Sequence, residues 1–218
     1  MKHSPLKGKH ILFLGSSVTY GSASGGISMA DMLAERRGFT LTKEAVSGTT
    51  LVDSDAHSYV SRLRKLDTGA SVDLLICQLS TNDASQGQPM GMMSPSKDMD
   101  SFDTKTVAGA IEYIIAYTIR TWNCPVVFYT NPRYDDPRYA EMTRLLDEIA
   151  EKWGISLIDM WKAPDFPIIT EEQRLQYMAD AIHPTREGYL NWWTPYWEDK
   201  LVCLLLCSPR HTIGDVFS

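Results

Sequence analysis

Two segments far apart in the chain carry residues that together could perform nucleophilic acyl transfer. Gly15-Ser16-Ser17-Val18-Thr19-Tyr20-Gly21 sets two hydroxyls directly after a glycine. A glycine lets the backbone turn sharply and present the side chains that follow it. Asp180-Ala181-Ile182-His183-Pro184 sets an acid three residues before a histidine. On a loop or a single helical turn both side chains can face one point. The carboxylate then orients the imidazole and stabilises its cation, while the other ring nitrogen takes a proton from serine. Read alone, Gly-Ser-Ser is more readily a hydroxyl-rich turn or a helix N-cap than a nucleophile, and a lone His-Pro is more often a plain turn.

Acyl transfer also needs donors aimed at the developing oxyanion. Gly48, within Ser47-Gly48-Thr49, could offer a backbone N–H where a side chain would block approach, and Asn82, within Ser80-Thr81-Asn82-Asp83, could offer its amide. Both segments are also ordinary turn sequences. The remaining histidines, His3, His10, His57 and His211, lack a serine-linked partner and read as surface or structural residues.

The elements that must position these residues follow from apolar periodicity. Residues 10–14 form a short apolar run ending at Gly15, and residues 72–79 form the strongest strand, with Leu74-Leu75-Ile76-Cys77 apolar on both faces. Further strands are expected at 40–46, 125–130 and 155–159. Helical spacing covers 27–37, 58–66, 106–122 and 139–153, and a last helix runs from about 185 to about 206 with a break at Pro195. The stretch 86–103, rich in Gly, Pro, Met and Ser, reads as a surface loop, and Met90 to Met93 within it could form an adaptable apolar wall. Residues 80–83 read as a polar turn. Trp192, Trp193 and Trp197, with Tyr189 and Tyr196, are expected in the core.

Strands alternating with helices predict a three-layer α/β/α sandwich around a mostly parallel five-stranded sheet. Ligands of such sheets bind beyond the carboxyl ends of the strands, where the segments containing Ser17, Gly48 and Asn82 all emerge. The 218 residues suit one domain, with a core at about 9–206 and a tail at 207–218.

Composition narrows the function further. With 44% hydrophobic and 22% charged residues the chain is of globular type, and a net charge of −6 offers no field for nucleic acid or an anionic membrane. The first residues lack a signal-peptide core, so a cytoplasmic location is expected. Cys77, Cys124, Cys203 and Cys207 have no zinc-type spacing and read as buried thiols rather than metal or redox groups.

Taken together, these segments resemble the SGNH (GDSL-like) hydrolase family, named for blocks bearing Ser, Gly, Asn and His. Gly15-Ser16-Ser17 resembles its Gly-Asp-Ser block, Gly48 its glycine block, Asn82-Asp83 the end of its Gly-x-Asn-Asp block, and Asp180 to His183 its Asp-x-x-His block. The resemblance implies a flavodoxin-like sandwich, Ser17 as nucleophile, His183 as base and Asp180 as its orienting acid. It further implies an oxyanion hole from Ser17 N–H, Gly48 N–H and Asn82, with no metal or organic cofactor. Two departures stand out: Ser16 replaces the family's aspartate, and Ser80 replaces the first glycine of the asparagine block. The expected activity is hydrolysis of a small acyl ester, such as an acetylated sugar, through an acyl-serine. Thioesterase or lysophospholipase activity, or a non-catalytic ligand-binding role, are the alternatives, and oligomeric state is left open.

Overall fold

The computed structural model describes residues 4–207, so His3, His211 and the tail from 208 lie outside the described residues. The first half of the chain holds β1 (His10–Gly15), α1 (Ser17–Tyr20), α2 (Met29–Arg37), β2 (Thr40–Ala45), α3 (Tyr59–Leu63), β3 (Leu74–Gln78) and α4 (Thr81–Ser85). The second holds α5 (Val107–Trp122), β4 (Val126–Tyr129), α6 (Pro137–Trp153), β5 (Ser156–Ile158), α7 (Glu171–Tyr177), α8 (Arg186–Gly188) and α9 (Thr194–Cys207). The strands form one sheet in the order β2-β1-β3-β4-β5. Every neighbouring pair is parallel, so the expected, mostly parallel sheet is wholly so.

Side-chain alternation along the strands divides the core into two layers. Leu12, Leu14, Leu75, Cys77, Val126 and Phe128 pack on one face against α3, α5 and α6. Ile11, Phe13, Leu74, Ile76, Val127 and Tyr129 pack on the other against α2, the 189–193 segment and α9. Trp193 and Trp197 are fully enclosed in this second layer, and Tyr189, Trp192 and Tyr196 are buried with them, as the aromatic spacing predicts.

Local chemistry sets the helix ends. Ser28 and Asp31 form a reciprocal capping box at the start of α2, and Gly38 ends that helix at a φ of 73°. The side chains of Thr106 and Asp136 cap α5 and α6, and Pro137 opens the latter, where its missing N–H costs nothing.

Several expectations change. Residues 80–83 are not a free turn but the start of α4, because the Ser80 hydroxyl accepts from Asn82 N (3.2 Å) and Asp83 N (3.3 Å). α3 ends at Leu63, short of Leu66. The interruption of the last helix lies before Pro195, not at it. Residues Tyr189–Trp193 form a π-helical turn in which Thr194 N donates to Tyr189 O, a widening that ends just before the ring that cannot donate. α7 was not anticipated; none of its residues is buried, so it carries no apolar stripe to read. Cys77 and Cys124 are buried as expected, but Cys203 is exposed on α9, and Cys207's side chain lies outside what is described.

The 86–103 loop is largely irregular, yet it is anchored. Glu112 of α5 is wholly buried and accepts from Ser94 N (2.7 Å), Trp153 Nε1 (3.0 Å) and Lys152 Nζ. Lys152 also donates to the carbonyls of Ser94 (2.6 Å) and Ser96 (2.8 Å). Removing one member of a buried ion pair leaves the other charged and unpaired. Lys152→Met is therefore expected to lower stability by about 3 kcal/mol, measured by urea denaturation, and to speed amide exchange at Ser94. Unchanged stability would show that this pair does not anchor the loop.

Candidate active site

Ser17 is the first residue of α1, immediately beyond the carboxyl end of β1. The turn is held from below by Gln78, the last residue of β3. Its buried carboxamide oxygen accepts from Ser16 N (3.0 Å), Ser16 Oγ (3.3 Å), Thr19 N (3.4 Å) and Thr19 Oγ1 (2.8 Å). Thr19 Oγ1 also lies 2.7 Å from the Tyr129 hydroxyl. Packing here is close enough that a Cβ on Gly15 would fall 1.7 Å from Thr19 Oγ1 and 2.9 Å from Gln78 Oε1. The family's aspartate position is thus filled by a wholly buried Ser16 turned toward Gln78, not by a second exposed hydroxyl.

His183 reaches the turn from the far end of the chain. Its Nε2 is 2.8 Å from Ser17 Oγ, and its Nδ1 is 2.7 Å from Asp180 Oδ2. Partial burial would raise the Asp180 carboxyl. The N–H of Ile182, the His183 ring and the N–H of His183 outweigh it and hold the group below the usual carboxylate range. An ionised Asp180 assigns the imidazole proton to Nδ1, which leaves Nε2 as an acceptor for the Ser17 hydroxyl. The other oxygen of Asp180 closes the loop, accepting from Ile182 N (2.7 Å) and His183 N (2.8 Å).

This loop is seated on the sheet by Asn131, just past β4, whose Nδ2 donates to Ile182 O at 3.2 Å. Met178 and Pro184 bridge its base, and Thr185 donates through N to Tyr177 O (2.8 Å) and through Oγ1 to Gln176 O (2.6 Å). α7 thereby frames the histidine loop.

The glycine and asparagine blocks meet at the ends of β2 and β3. Gly48 is exposed, has a φ of 81° and has open space where a Cβ would be. Asn82 Nδ2 donates to Thr49 O at 2.9 Å, which spends one amide hydrogen and leaves the second available. Among the described residues, Ser17 N–H and Gly48 N–H make no hydrogen bond within the chain. Asp83, wholly buried, accepts from Leu51 N (2.7 Å) and Val52 N (3.0 Å) and ties the 46–52 loop to α4. Burial pushes its carboxyl up, against the opposing pull of the Ser80 hydroxyl and the Val52 and Leu51 amides. Ser80, at an unstrained φ of −71°, serves as the cap of α4, so this position does not require the family's glycine.

Residues 10, 57 and 62 complete the surroundings. His10 bonds Ser71 O (2.5 Å) and Thr42 Oγ1 (2.8 Å), a structural role as expected, and His57 is exposed. Arg62 is buried and donates to Gly15 O (2.7 Å) and Glu44 O (2.6 Å), joining the ends of β1 and β2. Gln78, Arg62 and Asn131 are not among the candidate residues of the sequence, and Asp83 appears there only as the end of the asparagine block. The available signal was a polar residue at or just past the end of an apolar strand for Gln78 and Asn131; Arg62 had none. Beyond the histidine loop a cleft of about 230 Å³ opens over the ends of β4 and β5, lined by Met160, Trp161, Phe166, Met178, Ala181 and Trp192. Among the described residues, no cluster of three or more His, Cys, Asp or Glu could hold a metal ion, and no helix is long and apolar enough to cross a membrane.

The arrangement pairs a hydroxyl with a base, the base with an acid, and sets amide donors at neighbouring strand ends, the requirements of acyl transfer. A search of curated proteins finds no match to the sequence. Among solved structures, a protein from Lactobacillus plantarum superposes with a TM-score of 0.73 at 16% identity, covering 93% of this chain and 99% of that one. A member of the lipolytic protein G-D-S-L family from Veillonella parvula superposes with a TM-score of 0.60 at 17% identity, covering 89% and 97%. At such identities the likeness shows a shared fold. The sequence profile of the GDSL-like Lipase/Acylhydrolase family matches residues 13–190, a span that holds every residue of the Ser17, Gly48, Asn82 and His183 blocks, and the chain belongs to that family.

Proposed function

We propose that the protein is a serine carboxylic ester hydrolase in which Ser17 is the nucleophile, His183 the general base and Asp180 its orienting acid. The hydrogen-bonded line from Ser17 Oγ through His183 to Asp180 carries the reading. Ser17 Oγ attacks the ester carbonyl carbon as its proton passes to His183 Nε2, and the ionised Asp180 stabilises the imidazolium. The oxyanion is taken by Ser17 N–H, Gly48 N–H and the second hydrogen of Asn82 Nδ2. Collapse breaks the bond to the alcohol oxygen, which leaves with the proton from His183. Water, deprotonated by His183, then hydrolyses the acyl-serine and restores Ser17.

We propose a short acyl group, with acetyl the natural case. Ser17 is only 7% exposed, so the nucleophile is recessed, which favours a small acyl group. An apolar cleft lies over β4 and β5, one and two strands further along the sheet than β3.

Purified protein should hydrolyse p-nitrophenyl acetate, and Ser17→Ala or His183→Ala should each reduce kcat by about 10³-fold or more. Full activity in Ser17→Ala would sink the mechanism. Asn82→Ala should lower kcat by about 10²-fold with a smaller change in KM, the mark of a donor that acts chiefly in the transition state; a change confined to KM would remove Asn82 from the oxyanion hole. The folded state holds Asp180 ionised to lower pH than an ordinary aspartate. Its favourable contacts are therefore present above the usual carboxylate range and lost only as pH falls through the depressed folded value. Asp180 should accordingly stay ionised through the ordinary carboxylate range, checked by following its carboxyl carbon by NMR across a pH titration; protonation where an unperturbed aspartate takes up its proton would contradict this assignment.

A further inference from the structure

The cleft beyond the histidine loop combines three features that the reaction itself does not use. Its floor is rigid and aromatic: Phe166 lies 4.9 Å from Trp192, and Trp192 Nε1 donates to Pro167 O at 2.8 Å. Its rim is apolar yet unpartnered, since Ile168 lines it while 98% exposed. Its charged lining residues are two arginines, Arg133 after β4 and Arg174 on α7.

Those arginines bring positive charge to the cleft in a chain of net charge −6. Lys9, Lys43, Lys162 and Lys200 each sit against an aspartate. Among the described residues, neither Arg133 nor Arg174 forms an ion pair or a side-chain hydrogen bond. Asp165 holds Lys200 at 2.6 Å, Asp180 holds His183, and Asp136 caps α6 through Arg138 N and Tyr139 N, so none of these three carboxylates neutralises the pair. Guanidinium groups recognise planar carboxylates through paired N–H donors, and their charge is not lost at any working pH.

Position links the cleft to the chemistry. Ala181, one of its lining residues, lies between Asp180 and His183 in sequence, and Met178 is at the base of the same loop. β4 and β5 stand two and three places from β1 in the sheet, or about 10–15 Å at about 4.8 Å per strand. A cavity of about 150 Å³ accommodates benzene, so 230 Å³ has room for a larger ring system.

We propose that this cleft binds the alcohol portion of the substrate, and that this portion is an aromatic or similarly broad apolar body carrying a carboxylate that Arg133 and Arg174 receive. The inference rests on the esterase reading of Ser17 and assigns to it a substrate class, short acyl esters of hydroxylated apolar acids.

The test compares 6-acetoxy-2-naphthoate with its neutral methyl ester, each kcat/KM divided by the rate of the same compound with hydroxide. The anionic ester is expected to be favoured by about tenfold or more, a difference of about 1.4 kcal/mol. Arg133→Gln and Arg174→Gln, both at exposed positions, should each erode that preference, mainly through KM, and Arg174→Lys should restore part of it. Equal normalised rates for the two esters, or a preference untouched in both glutamine variants, would overturn the proposal while leaving the esterase reading intact. Hydrolysis of neither naphthyl ester nor p-nitrophenyl acetate would instead defeat the esterase reading. The cleft would then be judged by calorimetric titration with 2-naphthoate and 2-naphthamide: binding of the acid alone, weakened in Arg174→Gln, supports it, and no binding of the acid overturns it.

Discussion

The carboxamide oxygen of Gln78 meets four donors from the turn that follows β1, two from backbone N–H groups and two from hydroxyls. In a site closed to water, the two backbone N–H groups would otherwise be unsatisfied, at a cost of about 1–3 kcal/mol per group. One side chain thus fixes Ser16 and Thr19 and, between them, the direction in which Ser17 points. Gly15 is bound by the same constraint, because the space a Cβ would need is already filled by Thr19 and Gln78. Arg62 braces the turn from the opposite side through the carbonyl of Gly15.

The partner half of the site is built on a different principle. His183 sits on a loop rather than a strand, and that loop is closed by its own acid: Asp180 accepts two backbone N–H groups with one oxygen and the ring N–H with the other. The same contacts that shape the loop keep the carboxylate ionised, so orientation and electrostatics have a common cause. Asn131 fastens the loop to the end of β4, which brings a residue 166 positions away to within 2.8 Å of Ser17.

The donors opposite are stitched together in a third way. Asn82 and Asp83, adjacent in sequence, bind Thr49 O and the N–H groups of Leu51 and Val52, so the loop bearing Gly48 is tied directly to the helix bearing Asn82. Ser80 supports the arrangement by capping α4. A hydroxyl there satisfies the first amides of the helix, which explains how the chain tolerates serine where its family uses glycine.

The sequence by itself determined the strands, the long helices and the blocks whose residue types could do chemistry. Short apolar runs bounded by turn residues, such as residues 72–79, read as strands buried on both faces of a parallel sheet, and residues at strand ends emerge on one edge. It also led to the family, because four weak blocks in a fixed order are jointly specific. Tertiary structure alone decided what those residues touch. α7 and the capped start of α4 lacked an apolar stripe to announce them; the widened turn before Pro195 depends on how the aromatic residues pack; and Cys203 faces outward because an apolar neighbourhood in sequence does not fix which side of a helix meets the core. The clamps made by Gln78, Arg62, Asp83 and Asn131 were equally hidden, since a polar residue acquires its meaning only from the unsatisfied groups that folding brings to it. The arginine-rimmed cleft is of the same kind. Arg133 and Arg174 lie 41 residues apart, and only the arrangement of β4, β5 and α7 makes them neighbours of one space.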